Sequence, residues 1–442
     1  MPNRSFPIAV VLAAMAPLAV RAQTPRLLSL GDVVRLAAGQ SSPTQVARAR
    51  VEQADARIRQ RRSELFPSVS ASAVRLGRQF NTATLGFAFS GPNGQPFFDP
   101  RGVVLGPVNT LDLRARATQT LFDLGAFQRL RAASSAARVS EVDVDVTAEQ
   151  AAAVAAQAYV RAARGEAQVR ARASDSTLAS DLLRIAQDQV TAGVGIALDV
   201  TRARSQLASI RAQLIAARNE RDRARLELQR ALSFPADSVI ELTDSLAGLA
   251  AQDPGGDDAP GIARRPELRS LDAQRLAADA VLRATRLEQL PVLSAFGDHG
   301  PIQGAGGALL PTYTFGIQLA IPVFDGFRRT GRLEEQSAQR RELDVRRHDS
   351  ERQVELDIRS ARLDVASARE QSDAARERLA LAEQEVAQAR DRFRAGVAGN
   401  AEVVTASLSL SQARTLLVDA LAAQMYARVA LARAHGIARE LR

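Results

Sequence analysis

Two stretches of the sequence, about 65 residues each, contain no proline and are rich in alanine, and they lie at corresponding places in the two halves of the chain. Each stretch follows a Phe-Asp pair and ends in the letters Ala-Gly-Val. The matching segments are 64–71 with 288–295, 121–125 with 323–326, and 188–217 with 391–420. Because three pairs of segments match in the same order, we interpret the chain as two tandem copies of one unit.

The proline-free stretches, at about residues 126–190 and 327–394, predict helices about 100 Å long at 1.5 Å per residue. Their alanine-rich composition is typical of coiled coils with narrow seams. The glycine of each Ala-Gly-Val ends the helix, and return helices are predicted at about 197–232 and 400–436. One such chain cannot bury all of these helix faces, so we expect it to form an oligomer.

A shorter helix and two strands are predicted before each long helix. The shorter helices, at about residues 43–65 and 266–290, end where a proline follows. In the second copy, residues 313–321 alternate strictly between apolar and polar side chains over the length of a tilted transmembrane strand.

The first copy has a similar strand with a more strongly charged face. Apolar residues at 111–117 alternate there with Asp112, Arg114, Arg116 and Thr118. An amphipathic strand in a soluble sheet would alternate in the same way. A charged face without a partner sheet favours the wall of a water-filled pore instead, and its open strand edges would need partners in lipid.

Composition also predicts the domain boundaries. Residues 1–22 have a short basic start, an apolar run and small residues before Gln23, which is typical of a secretory signal peptide. The first structural repeat is predicted at 23–233, a linker or equatorial segment at 234–262, and the second repeat at 263–442. A loop rich in glycine and proline, within 91–107, lengthens the first copy.

The composition argues against a nucleic-acid-binding protein and against an enzyme. The net charge is +9, but arginines are interleaved with acids and only 4% of the residues are aromatic. Cysteine is absent, and the three histidines, His299, His348 and His435, lie in unlike contexts. No nucleotide-binding or catalytic motif is present. We therefore predict no catalytic residue, no cofactor and no metal, and an energy source in another protein.

Residues 189–203 and 392–406 contain a recognisable pattern. In each segment an Ala-Gly-Val turn is followed by an acid and a valine at the beginning of the return helix, and Phe393 precedes the second turn. Together with the Phe-Asp pairs that lead from a strand into a long helix, this pattern resembles the TolC family of outer-membrane efflux proteins. The resemblance covers nearly all of the chain after residue 22, and the duplication of the turn is its most specific part.

The resemblance implies a fold that is mainly α with a small β part. A duplicated long-helix coiled coil would form a tunnel, and each protomer of a homotrimer would contribute four strands to a twelve-stranded β-barrel. It also implies a position in the outer membrane with most of the chain in the periplasm. The implied partners are a periplasmic adaptor (membrane fusion) protein and an inner-membrane pump of the RND or ABC type. The chain would be the passive exit duct of a tripartite efflux pump or a type I secretion system.

The resemblance also assigns three sets of residues. The pore gate would contain Phe393, Glu402, Thr405 and Asp199. The adaptor-docking tip would contain Ala192, Gly193, Val194, Gly195, Ala395, Gly396, Val397 and Ala398. The junction between barrel and helices would contain Phe122, Asp123, Phe324, Asp325 and Gly326.

Two of these positions depart from the family pattern. Some relatives have a second acid where Thr405 stands and an arginine where Ala398 stands. We therefore expect the closed state of this protein to be held by a different set of contacts. An acid at a helix N-terminus is also favoured by the helix dipole. That alternative explains Glu402 and Asp199 as well as a gate does.

Two other classes of protein remain as alternatives. A soluble periplasmic coiled-coil scaffold would account for the helices but not for the alternation at 313–321. A surface adhesin or autotransporter-like barrel would require a passenger or stalk repeats, which this sequence lacks.

Overall fold

A computed structural model describes residues 26–85, 102–252, 262, 265–303, 307–395, 397 and 399–442. The predicted signal peptide, most of the loop rich in glycine and proline, and residues 253–261 of the predicted linker lie outside the described residues. The elements before residue 253 are β1 Arg26–Leu28, α1 Leu30–Gln40, α2 Ser42–Ser63, β2 Ser68–Asn81, β3 Val104–Phe122, α3 Leu124–Thr191, α4 Ala197–Leu232, β4 Ile240–Leu242 and α5 Leu246–Ala251. The remaining elements are α6 Pro266–Leu287, β5 Val292–Gln303, β6 Leu309–Ala320, α7 Arg328–Arg394 and α8 Asn400–His435.

The two long helices agree closely with the sequence prediction. Helix α3 has 68 residues and α7 has 67, so each is about 100 Å long. Each is followed by a return helix of 36 residues. The mainly α fold with a small β part is thereby confirmed.

The helices lie side by side in a fixed order. Near the sheet, α3 packs between α2 and α6, and α7 packs on α6. Farther from the sheet, α3 packs on α4 and α8, and α7 packs on α8. Helix α7 is therefore at one edge of the protomer, and α2 and α4 are at the other.

Ion pairs connect α6 to α7 along their contact. Arg332 pairs with Glu288 at 2.6 Å, and Arg340 of α7 pairs with Asp279 at 2.8 Å. Arg347 pairs with Asp272 of α6 at 2.6 Å. The three pairs run in opposite chain directions along the two helices, so α6 and α7 are antiparallel.

The sheet has four antiparallel strands in the order β2-β3-β5-β6. The hairpins β2-β3 and β5-β6 come from the two copies, and β3 pairs with β5 across the copies. Among the described residues, β2 and β6 each have a partner on one side only. The sheet therefore ends in two open edges within a single protomer.

The largest apolar core lies at the middle of the long helices. Tyr159 of α3 is fully buried there, and its hydroxyl lies 2.9 Å from the Asp244 carboxylate and 3.1 Å from the Leu28 carbonyl oxygen. Burial and the neighbouring Asp244 carboxylate raise the pKa of Tyr159. The sequence prediction missed α1 and β1, which pack in this core, and it read residues 240–251 as linker although they form β4 and α5.

The C-terminal residues are attached to the same region. Glu149 of α3 is 2% exposed, accepts a hydrogen bond from the Ala438 N–H, and pairs with Arg439 at 3.2 Å. Burial raises the pKa of Glu149, against the lowering effect of these two partners.

Helix α8 is more apolar than α3, α4 and α7. Among the described residues it alone is long and apolar enough to cross a membrane by length and composition, with a mean hydropathy of 1.3 over its most apolar window. Half of that window is buried inside the protomer. Its apolar side chains are therefore explained by packing against α3 and α7.

Candidate channel gate, docking tip and membrane sheet

The turns of the two helical hairpins share a backbone hydrogen bond among their described residues. At the end of α3, the Val194 N–H bonds to the Gln189 carbonyl and the Gly193 N–H bonds to the Val190 carbonyl, which is the hydrogen-bond pattern of a Schellman motif. At the end of α7, the Val397 N–H bonds to the Arg392 carbonyl at 3.0 Å in the same way. The duplication seen in the sequence thus extends to equivalent hydrogen bonds.

Two glycines shape the first turn for different reasons. Gly193 has a φ of +75°, a conformation that costs an L-residue about 1–2 kcal/mol. Gly195 lies so close to α3 that an added Cβ would sit 2.9 Å from the Cβ of Gln189. Gly396 and Ala398 of the second turn lie outside the described residues.

The predicted docking tip presents apolar side chains to solvent. Val194 is 79% exposed and Val397 is 71% exposed. Ala192, Ala395 and Ile196 are also exposed, and Gly195 is half-buried. Such side chains have no partner in the protomer, so the tip offers a small apolar surface.

Two side-chain amides connect one tip to the other. Gln189 donates a hydrogen bond of 2.9 Å to the carbonyl of Phe393, and Asn400 donates one of 2.9 Å to the carbonyl of Asp199. Asn400 is 1% exposed, so its bond is shielded from water. Sequence reasoning assigned no role to Gln189 or Asn400.

The predicted gate residues have unlike surroundings. Glu402 is exposed and its carboxylate pairs with Arg392 at 3.1 Å, across the turn of its own hairpin. Thr405 is exposed, and its hydroxyl bonds to the Ala401 carbonyl within α8. Asp199 is half-buried, with Arg202 at 3.9 Å.

Phe393 is 2% exposed and does not line an open surface of the protomer. It packs in a cluster formed by all four helices of the two hairpins, among them Leu182 of α3 and Val403 of α8. Any effect of Phe393 on a gate must therefore pass through the packing between the hairpins.

A buried carboxylate lies between the hairpins, farther from the tip. Asp175 of α3 is 3% exposed and pairs with Arg414 of α8 at 2.6 Å. It also accepts a hydrogen bond of 2.8 Å from Ser411, and Arg172 lies 3.4 Å away. The sequence prediction missed this cluster, because Ser411 and Arg414 lie more than 200 positions from Asp175 and nothing in the local pattern marks them.

The junction between sheet and helices repeats one ion pair in both copies. Arg129, in the first turns of α3, pairs with Glu64 at the end of α2 at 3.0 Å. In the second copy, Arg332 of α7 pairs with Glu288 after α6. Partial burial raises the pKa of Glu64, but hydrogen bonds from Arg61 and Arg129 outweigh it and hold that pKa below its usual value.

The aspartate of each Phe-Asp pair accepts hydrogen bonds from the beginning of the long helix that follows. Asp123 caps α3 by accepting the Ala126 N–H at 2.9 Å, and Asp325 accepts both the backbone N–H and the side chain of Arg329. Gly326 follows with a φ of +65°.

The aromatic members of the pairs point outward. Phe122 is 48% exposed and Phe324 is 75% exposed, and Phe324 makes an edge-to-face contact with Phe327 at 5.6 Å. Exposed aromatic rings at the end of an apolar sheet are typical of membrane–water interfaces.

The two faces of the sheet differ in chemistry. On one face, Tyr313, Phe315 and Ile317 of β6 are each more than 70% exposed. On the other face, Asp112, Arg114 and Arg116 of β3 are joined by Asp298 and Thr314 from β5 and β6. An apolar face without any covering layer fits contact with lipid, and the polar face fits contact with water.

The described residues contain no cluster of three or more side chains that could hold a metal ion. What the geometry provides is a set of surfaces: a sheet with one apolar face, an aromatic rim, long helices and a connected pair of tips. This arrangement defines a class of protein, a membrane-embedded sheet continued by helical hairpins.

Comparison with known proteins identifies that class. The sequence profile of the family described as outer membrane efflux protein matches residues 33–233 and again residues 261–437. The alkaline protease secretion protein AprF of Pseudomonas aeruginosa is 26% identical over 232 residues, which are 50% of this chain. The match spans 46% of AprF, so this chain matches about half the length of that relative.

Solved structures with the same fold include two outer-membrane proteins. The CmeC outer membrane channel of Campylobacter jejuni has a TM-score of 0.73 at 18% identity, covering 92% of this chain and 86% of that chain. The VceC outer membrane protein of Vibrio cholerae has a TM-score of 0.69 at 17% identity, covering 92% of this chain and 96% of that chain. At these identities the likeness concerns the fold.

The chain belongs to the outer membrane efflux protein family. The resemblance to TolC-family channels is thereby confirmed, as is the location in the outer membrane with most of the chain in the periplasm. The predicted domain boundaries and the predicted gate, tip and junction residues remain predictions.

Proposed function

We propose that this protein is the exit duct of a tripartite efflux pump or a type I secretion system. It conducts substrates passively from its periplasmic tip to the exterior and performs no chemistry on them. The observation that carries this proposal is the sheet, whose uncovered apolar face and two open edges require lipid and further strands.

Three copies of the chain satisfy these requirements. Edge strand β6 of one protomer pairs with β2 of the next, so that three sheets of four strands close into a barrel of twelve. The helices form the tunnel wall in the same order around the trimer, with α7 of one protomer packed against α2 and α4 of the next. The exposed apolar side chains of α7 support this contact, since Val345, Leu356 and Leu363 are 67%, 59% and 69% exposed.

The tips contact the partner proteins. A trimer presents six hairpin tips, each with an exposed valine at Val194 or Val397, and these form the docking surface for a periplasmic adaptor. The adaptor in turn connects the duct to an inner-membrane pump of the RND or ABC type, which supplies the energy.

The gate lies at the same end. The bonds from Gln189 to Phe393 and from Asn400 to Asp199 hold the two tips of a protomer together, and this keeps the tunnel entrance narrow at rest. Glu402 lies at the entrance in an ion pair with Arg392. The positive charge of Arg392 therefore partly compensates the attraction of the Glu402 carboxylate for cations.

Single-channel recording in a planar lipid bilayer tests the proposal. The detergent-purified protein should be trimeric and should insert to give discrete, uniform conductance steps. A protein that is monomeric in aqueous buffer, is recovered from osmotic-shock fluid and never inserts would overturn the proposal in favour of a periplasmic scaffold.

A further inference from the structure

We propose that the barrel carries a ring of three Arg116 guanidinium groups that attracts anionic cargo on its way out. This inference rests on the proposed trimeric channel. It assigns to the membrane-embedded part of the pore a preference for carboxylate- or phosphate-bearing solutes, separate from any preference set at the periplasmic tip.

The strand register places Arg116 on the polar face. Its backbone lies opposite Ser70 on one side and Asp298 on the other, and Asp298 lies opposite Thr314 of β6. In an antiparallel sheet, directly opposed residues point to the same face. All four side chains therefore share one face, and the residues next to them in each strand, mostly apolar but including His299, share the other.

The carboxylate nearest to Arg116 has another partner. Asp298 is buried against the strands, with 5% of its side chain exposed, and Arg114 contacts it directly. Arg114 is itself held by Asp112 at 3.2 Å and by Thr312 at 3.3 Å, with 18% of its side chain exposed. The Arg114–Asp298 pair is thus part of the barrel wall.

Arg116 remains available to solutes. Its closest approach to Asp298 is 3.8 Å, which is beyond hydrogen-bond distance, and 61% of its side chain is exposed. No hydrogen bond joins its side chain to another described residue. Its planar guanidinium group can therefore bind a carboxylate or phosphate through two N–H groups. Ser70 lies opposite Arg116 on β2, and its hydroxyl is on the same face.

The polar face as a whole also carries a net positive charge. In the four described strands of this sheet, that face carries Arg78, Arg114 and Arg116 against Asp112 and Asp298. Each protomer therefore adds one net positive charge to the lumen of the barrel. Arg78 is exposed on β2 nearer the outer end, so it extends the positive potential toward the exit. Rings of arginine select anions in pores in this way.

The reversal potential in a KCl gradient tests the proposal, at low salt where screening is weak. Replacing Arg116 with glutamine should lower the ratio of chloride to potassium permeability about twofold, and R116K should retain the wild-type ratio. R75Q is the matched control, because Arg75 is an exposed arginine of β2 whose register partner Leu111 lies on the apolar face. It should leave the ratio unchanged.

A second measurement uses inorganic pyrophosphate as the probe. Added from the barrel side, it should reduce the wild-type current, and the reduction should be lost in R116Q. A wild-type channel that pyrophosphate does not block, or an R116Q channel with wild-type selectivity, would overturn the ring while leaving the channel function intact. Failure of every protein to conduct would instead count against the proposed function.

Discussion

The side chain of Asn400, the first residue of α8, donates a hydrogen bond to the backbone carbonyl of Asp199, in the first turn of α4. The two residues belong to different copies of the duplicated unit, and the amide is almost completely buried. A single side chain thus connects the beginnings of the two return helices. Movement of one hairpin away from the other would break this hydrogen bond.

Replacing Asn400 with alanine should therefore loosen the closed tip. Each such bond contributes about 1 kcal/mol, and a trimer contains three of them. We expect N400A, and more strongly N400A combined with Q189A, to raise the mean single-channel conductance. T201A is a suitable control, because the Thr201 hydroxyl bonds only within α4. Equal conductance in all of these channels would show that the tip is held closed by other contacts.

Replacing Asp175 with alanine should destabilise the packing of the hairpins. It leaves Arg414 and Arg172 close together and without their buried carboxylate, which costs about 3–5 kcal/mol. We expect a lower Tm for D175A trimers in detergent. D181N removes an exposed, distant pair on the same helix and should change the Tm little. A Tm for D175A equal to that of D181N would refute this role of the cluster.

Glu402 and Arg392 should affect ion selectivity in opposite directions, because they form an ion pair at the proposed tunnel entrance. E402Q leaves three uncompensated arginines and should lower the ratio of potassium to chloride permeability, by about twofold. R392Q leaves three uncompensated carboxylates and should raise it. Reversal potentials measure both. Shifts of the same sign, or no shift in either variant, would remove the pair from the conduction path.

The Glu64–Arg129 pair at the junction predicts a specific pH dependence. The pKa of Glu64 in the folded protein is lower than its ordinary value of 4.5, so the folded state binds this proton less readily than the unfolded state. The stabilisation is therefore present above that ordinary value and is lost as the pH falls through the lowered pKa. E64Q should have a lower Tm than wild type at neutral pH, and the difference should disappear once the pH falls below the lowered pKa of Glu64. E52Q removes an exposed carboxylate from the same helix and should leave the Tm at neutral pH nearly unchanged.

The features that depend on local sequence were the ones that could be predicted. The return helix after Gly193 begins and ends where periodicity and turn residues predicted, at Ala197 and Leu232. The alternation at 313–321 identified β6, although the strand begins earlier, at Leu309. Helix periodicity, strand alternation and the glycine turns are written within short windows of sequence.

Features that depend on distant partners could not be predicted. Helix α1 has only 11 residues, and its stability comes from a core assembled around Tyr159 of α3. Phe393 was assigned to the gate from its place in a motif, but its burial depends on four helices. The Asp175 and Asn400 contacts join residues more than 200 positions apart, and a single sequence gives no information on which distant side chains meet.

The open edges of the sheet also determine how the protein has to be assembled. A lone protomer exposes unpaired backbone groups on β2 and β6 together with an apolar face, and such surfaces bind other strands without discrimination. In the proposed trimer, closure requires two more copies, so we expect the rate of correct assembly to depend steeply on concentration. Until the barrel closes, we therefore expect the unpaired edges and the apolar face to make a lone protomer prone to aggregation.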